Sequence, residues 1–224
     1  MGGRGVASPD NKIKLDMKDD AKNDFTENAI YFPPNKSLRE ALGKRKDPIS
    51  IAEAAKETNS TRYTRNHPAF SQNCQRCVVA YELNRRGYKV MAEPTYSGDK
   101  WPKVLIRNGN NYEMWRGAFR HAKTVKIQAR TSNQAVTNIK NQMKAFGNGS
   151  RAVVSITWKG RHSGHVFNVE NKNGKILFIE AQVGKEYNQK GIFDRVNLNE
   201  ILLTRTDNLR ISERCKEFVR TRKW

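Results

Sequence analysis

Three side chains of the sequence could do chemistry together: the thiol of Cys74, the imidazole of His165 and the carboxylate of Glu180. Cys74, Cys77, Val78 and Tyr81 recur at helical spacing, and Gly87 stands where a left-handed C-terminal cap belongs, so Cys74 is expected to open a helix. A thiol in the first turn of a helix feels the positive end of the macrodipole, which favours thiolate, and a neighbouring imidazole favours it further. An imidazole acting as a base needs a third group to fix its tautomer and orientation.

The carboxylate for that purpose follows from a hairpin. His165–Glu170 and Lys175–Glu180 read as strands joined through Asn173-Gly174, the pair that favours a two-residue type I′ turn. Such a turn pairs Lys172 with Lys175, which sets Phe167 across from Glu180 and His165 across from Gln182. Cross-strand partners share a face, and so do positions two apart, so His165, Glu180 and Gln182 are expected on one face. A slip of one residue would separate Glu180 from His165.

Rival constellations use the same residues. Taken singly, a cysteine in a helix is most often a small core residue. Cys74-Gln-Arg-Cys77 is also a C-x-x-C at a helix start, as in disulfide oxidoreductases, but no βαβ pattern surrounds it. Cys74, Cys77, His162 and His165 have zinc-ligand chemistry, yet the histidine pair is far in sequence from the cysteine pair, unlike the compact finger spacing. No metal and no cofactor is expected.

The elements that must position these groups are legible to different degrees. Ser37-Leu-Arg-Glu40 and Ser50-Ile-Ala-Glu53 are capping-box patterns that predict two short helices, the first closed by Gly43. Tyr88–Ala92 alternates like a strand, and the polar stretch Pro94–Gly109 reads as loop. A helix is predicted over Ser132–Phe146, with Val136, Ile139, Met143 and Phe146 as one stripe and Gly147 ending it. Ala152–Trp158 is β-rich. Residues 1–36 read as a polar tail, 37–60 as a helical lead-in and 61–224 as the catalytic domain.

Composition narrows the classes. With 224 residues and 37 % hydrophobic content, the chain can bury one ordinary core beside a solvated segment. No run approaches the roughly 18 apolar residues that span a bilayer, so no transmembrane segment is expected. Met1–Val6 lacks an apolar signal core and has Val6 where a myristoylation pattern wants Ser or Thr. Three cysteines without a secretory signal favour free thiols in a reducing compartment, the cytoplasm of the producing cell. The net charge of +20 would attract an acidic protein surface, a nucleic acid or an anionic membrane, and a generally basic surface is the simpler account.

At several of these places the chain resembles a known family. Asn73–Tyr88, Gly149–Trp158, Ser163–Asn168, Phe178–Gln182 and the closing Arg205-Thr-Asp-Asn-Leu209 resemble, in order, the papain-fold toxin family of glutamine deamidases. The likeness runs from about residue 58 to Leu209, and Met1-Gly-Gly-Arg-Gly5 is similar to prophage-encoded relatives. Such domains occur in bacterial polymorphic toxins and beside phage structural proteins. The resemblance implies an α+β fold with a papain-like core, in which the helix carrying the cysteine packs on an antiparallel sheet. It implies Cys74 as nucleophile, His165 as base and Glu180 as orienting acid, with Gln182 in a supporting polar role. The oxyanion would be held at the helix start, with Gln72 or Asn73 assisting. The substrate implied is a glutamine-containing protein, and virion association or delivery to a target cell would follow from the toxin setting.

The family usually has aspartate where this chain has Glu180. One methylene moves a carboxylate by about a bond length, and misplacement near 1 Å can cost ~100-fold in rate, so Asp at this position is expected to serve as well or better. Peptide cleavage and transglutamination pass through the same thioester and remain open. So does a different class, a basic nucleic-acid-associated phage or virion protein with a weak site.

Overall fold

The computed structural model describes residues 36–45, 47, 49–59, 68–95, 105–106, 114–187, 189 and 191–221, so the expected tail lies outside the described residues except for Lys36. Helices α1 (Lys36–Leu42), α2 (Ile51–Thr58), α3 (Pro68–Ser71) and α4 (Cys74–Arg85) come first. Strands β1 (Val90–Ala92), β2 (Leu105–Ile106) and β3 (Thr124–Ile127) precede helix α5 (Ser132–Phe146). Strands β4 (Arg151–Thr157), β5 (Ser163–Lys172), β6 (Lys175–Glu180), β7 (Lys185–Glu186), β8 (Ile201–Arg205) and β9 (Val219–Thr221) complete the order.

Local chemistry explains most of the boundaries. Ser50 caps α2 in a reciprocal box with Glu53, as expected. Ser37 instead lies inside α1, which begins at Lys36, and its hydroxyl donates to Glu213 at 3.3 Å. Gly43 at φ 73° ends α1, with its N–H donating to the carbonyl of Arg39. Thr131 caps α5 through Gln134, and Gly147 at φ 93° closes it, so this helix has the predicted bounds. Tyr88 does not belong to β1 but makes an isolated bridge with Lys44. The expected loop after Pro94 contains the short strand β2, whose two residues carried too little pattern to announce a strand.

The main sheet is antiparallel, ordered β3-β8-β4-β5-β6-β7 with β2 also joined to β5, while β1 and β9 form a separate ribbon. The two faces follow from alternation. Val153, Val166, Leu177 and Ile179 face one core with Cys77, Val78 and Tyr81 of α4, into which Leu38, Leu42, Ala54 and Ala55 of α1 and α2 also pack. Val154, Phe167, Val169 and Phe178 face a second core with Ile139 and Met143 of α5. The cysteine-bearing helix thus lies on an antiparallel sheet within an α+β fold, as the sequence led one to expect.

The polar residues of α4 depart from the usual pattern, because all twelve of its residues are buried. Glu82 accepts from Arg86 at 2.7 Å, from Arg151 at 2.9 and 3.0 Å and from Thr206 at 3.2 Å. Glu170 of β5 accepts from Arg85 at 2.7 and 3.2 Å and from Tyr81 at 2.8 Å. A charge is tolerated at such depth only when paired and hydrogen-bonded, which these are.

A break in the sheet matters for the site. The hairpin register runs from Lys172↔Lys175 to Asn168↔Ile179, as the Asn-Gly turn dictates, with Asn173 and Gly174 at φ 52° and 84°. Beyond Asn168, β6 leaves β5, so the expected pairing of Phe167 with Glu180 and of His165 with Gln182 does not form, and β2 joins the same edge only at Gly164 and Ser163. On the other edge β4 remains paired down to Thr157↔Gly164. His165–Phe167 therefore lie where one edge of β5 is without a neighbouring strand among the described residues.

Candidate active site

His165 occupies that break. Its Nε2 lies 2.5 Å from Glu180 Oε2, and the imidazole also hydrogen-bonds the Cys74 side chain, which leaves Nδ1 as the nitrogen toward the thiol. The indole of Trp158 stacks on the ring, 6.2 Å between centroids and 13° between planes, and Phe167 lies on its other flank at 6.2 Å. Burial pulls the His165 pKa down, but the Glu180 charge and the hydrogen bonds with Cys74 and Glu180 outweigh it and hold the value well above the usual histidine range. The stacked indole face is favourable to a cationic ring.

Glu180 ends β6 and is 8 % exposed. Its Oε2 meets His165, while Oε1 accepts the backbone N–H of Gln182 at 3.2 Å. The longer side chain thus spans the gap to His165 and is pinned at both oxygens. The hairpin end is placed so that the longer side chain reaches the ring.

Cys74 begins α4 and is buried, with Asn73 as N-cap. Asn73 makes no side-chain cap to its own helix. Its Nδ2 donates to Asn59 Oδ1 and to the Glu93 carbonyl, both at 3.1 Å, and its Oδ1 accepts from Asn59 at 3.3 Å, Gln182 at 3.3 Å and Cys77 at 3.4 Å. Gln182 Nε2 donates to the Phe70 carbonyl and to Asn73, and its own carbonyl accepts from Asn59 at 3.0 Å. Both amides are engaged inward, so they brace the helix start instead of offering free donors to a substrate. Gln72 is partly buried one residue further out.

Cys77 lies one turn further along α4. It is 1 % exposed and its thiol donates to Asn73. Burial pushes its pKa well above the usual range, and the neighbouring Cys74 and Glu180 push it the same way. All three cysteines are free. Among the described residues no group of three or more His, Cys, Asp and Glu side chains is arranged to hold a metal ion, and His162 stays exposed on the turn before β5.

Two aromatic neighbours were not singled out from the sequence. Trp158 ends the β-rich segment but gave no sign that its ring covers His165. Tyr187 packs on Phe167 at 5.4 Å, and burial, followed by the Glu180 charge, pushes its pKa up to about 12. The usable signal for Trp158 was register, since Ile156 pairs with His165 and the strand end carries Trp158 past the same ring.

A helix-borne thiol facing an imidazole and a carboxylate across an antiparallel sheet defines a papain-fold chain. Residues 72–185 match the family described as papain fold toxin 1, glutamine deamidase, and the chain belongs to that family. The matched span holds Cys74, His165 and Glu180 together. Neither a curated protein nor a solved structure shows significant similarity to the chain. Among the described residues no helix is long and apolar enough to cross a membrane.

Proposed function

We propose that the chain deamidates glutamine side chains of a target protein through a thioester on Cys74. The observation that carries this reading is His165 hydrogen-bonded to Cys74 on one side and to Glu180 on the other. The Cys74 sulfur attacks the carboxamide carbon, forming the C–S bond, and the carbonyl electrons move onto oxygen. The Cys74 N–H at the start of α4, where Asn73 makes no side-chain cap, is the donor for that oxyanion, with Gln72 beside it. His165 in its cationic form gives its proton to the departing nitrogen, the C–N bond breaks and ammonia leaves. The now neutral ring takes a proton from water, which attacks the thioester and releases glutamate and the thiol. Glu180 keeps the ring in the required orientation through both steps.

Residues 36–221 act as one catalytic unit in this proposal, since α1 and α2 share the core of α4. A toxin-like role fits the reaction, because turning a neutral amide into a carboxylate at a functional position changes its electrostatics completely. The test is incubation with a glutamine peptide and with host lysate. Ammonia release and glutamine-to-glutamate conversion by mass spectrometry are expected and must vanish in Cys74→Ser. Cut peptide bonds would identify a protease instead. Neither activity, together with a Cys74 inert to iodoacetamide, would sink the hydrolase reading.

A further inference from the structure

The rim of this site carries a sign. Trp158, stacked on His165, leads into the turn Lys159-Gly160-Arg161-His162, where Lys159 and Arg161 are exposed. The Lys159 N–H donates to the carbonyl of Arg195 at 2.7 Å, which brings a third exposed cation alongside. Val196, the next residue, bridges Trp158, so Arg195 lies beside the residue that stacks on His165. Lys185 is the direct cross-strand partner of Glu180, so its exposed side chain emerges on the face that holds His165. Exposed Val183 lies between Gln182 and that lysine. The acids nearby do not cancel this set. Glu186 pairs with Ile179 and so alternates to the other face, and Asp194 is a single charge beside Arg195.

We infer that the site selects glutamines lying in acidic stretches of polypeptide, with Lys159, Arg161, Lys185 and Arg195 as specificity-determining residues. The inference rests on the deamidase reading of the same site and adds the substrate class. A polypeptide is favoured over a nucleic acid because the groups inside the cationic rim attack a carboxamide, which a protein side chain carries next to its own charges. Opposite charges around a cleft raise the encounter rate and penalise like-charged competitors. Because the four cations are exposed, salt at about 0.5 M should screen most of the effect.

The experiment compares two glutamine peptides of equal length, one flanked by Glu and Asp and one flanked by Lys, at low and high salt. The readouts are ammonia release and the protection of Cys74 from iodoacetamide. The expected result is a kcat/KM ratio of roughly 10-fold or more for the acidic peptide at low salt, collapsing toward one at high salt. Combined K159E, R161E and K185E substitutions should bring the ratio to one or below. The ratio is internal to each protein, and the salt series on the unmodified chain decides the matter if that variant does not fold. A ratio near one for the unmodified chain at low salt overturns the inference. If neither peptide loses ammonia, protection of Cys74 by the acidic peptide alone upholds the cationic rim while sinking the deamidase reading. Protection by a single-stranded oligonucleotide with none from the acidic peptide overturns the inference in favour of nucleic acid.

Discussion

At the scale of single residues, the His165 pair with Glu180 sets the pH behaviour. A folded pKa raised well above 6.5 means that the imidazolium persists through neutrality, that the stability it lends is complete below about pH 6.5, and that this stability fades as pH climbs through the raised value. In the proposed reaction that cation protonates the departing ammonia and is lost over the same range, so the alkaline limb of activity should lie well above pH 6.5. Glu180→Gln removes a charge that raises the pKa and should move that limb to lower pH while slowing turnover. An unmoved limb would show that Glu180 does not govern the ring. Glu180→Asp draws the carboxylate back by about a bond length, and misplacement on that scale costs ~100-fold, so ammonia release should fall by roughly that factor. Full activity in that variant would mean that the hairpin end can follow the shorter acid. Cys77 has a separate expected outcome. Its thiol is kept protonated by burial, so iodoacetamide should label Cys74 in the native chain, and Cys77→Ser should leave ammonia release within a few-fold of the parent. Loss of all activity in Cys77→Ser would revive the dithiol reading of the C-x-x-C.

At the scale of elements, the start of α4 is built by contacts that cross the chain. Asn73 joins Asn59, Gln182 and Glu93, and so ties the ends of α2, β1 and β6 to the turn that presents Cys74. Asn73→Ala would leave several buried polar groups unpaired, each worth about 1–3 kcal/mol. The melting temperature should drop by about 5 °C or more, and the rate of Cys74 alkylation should change along with it. A variant as stable as the parent, with unchanged alkylation, would show that the helix start does not depend on this amide. These ties also explain what could be read from the chain alone. Elements marked by local chemistry were legible: Asn173-Gly174 fixed the register of β5 and β6 up to Asn168 and Ile179, Thr131 and Gly147 bounded α5, and helical spacing placed Cys74 at a helix start. Elements marked by partners were not. Strand β2 has two residues and exists by pairing with β5, and Ser37 looked like a cap until Glu213, far along the chain, supplied its partner. Nothing in the sequence marked the polar side of α4 as buried, because its partners, Glu170, Arg151 and Thr206, lie more than sixty residues away.

At the scale of the whole molecule, that buried ionic layer couples the catalytic helix to the sheet and should dominate the response to acid. Burial alone would raise the Glu82 pKa, but Arg151 and Arg86 bring it from 4.5 down to about 2. A carboxyl lowered in this way contributes stability that is present above about pH 4.5 and is lost as pH falls through about 2. A difference of that size corresponds to roughly 3 kcal/mol. Denaturant unfolding followed from pH 7 to pH 2 should therefore show a falling midpoint through that window. Glu82→Gln tests the assignment, since it leaves Arg86 and Arg151 facing an uncharged amide and should cost about 3–5 kcal/mol at pH 7. Its midpoint should fall less steeply between pH 4.5 and 2 than that of the parent, because the titrating group is gone. Equal slopes for the two proteins would place the acid sensitivity elsewhere. Because α4 carries Cys74 at one end and Glu82 in its body, Cys77 and Cys215 should lose the protection of burial over the same acid range, read with a dipyridyl disulfide, which reacts with thiols in acid where iodoacetamide does not.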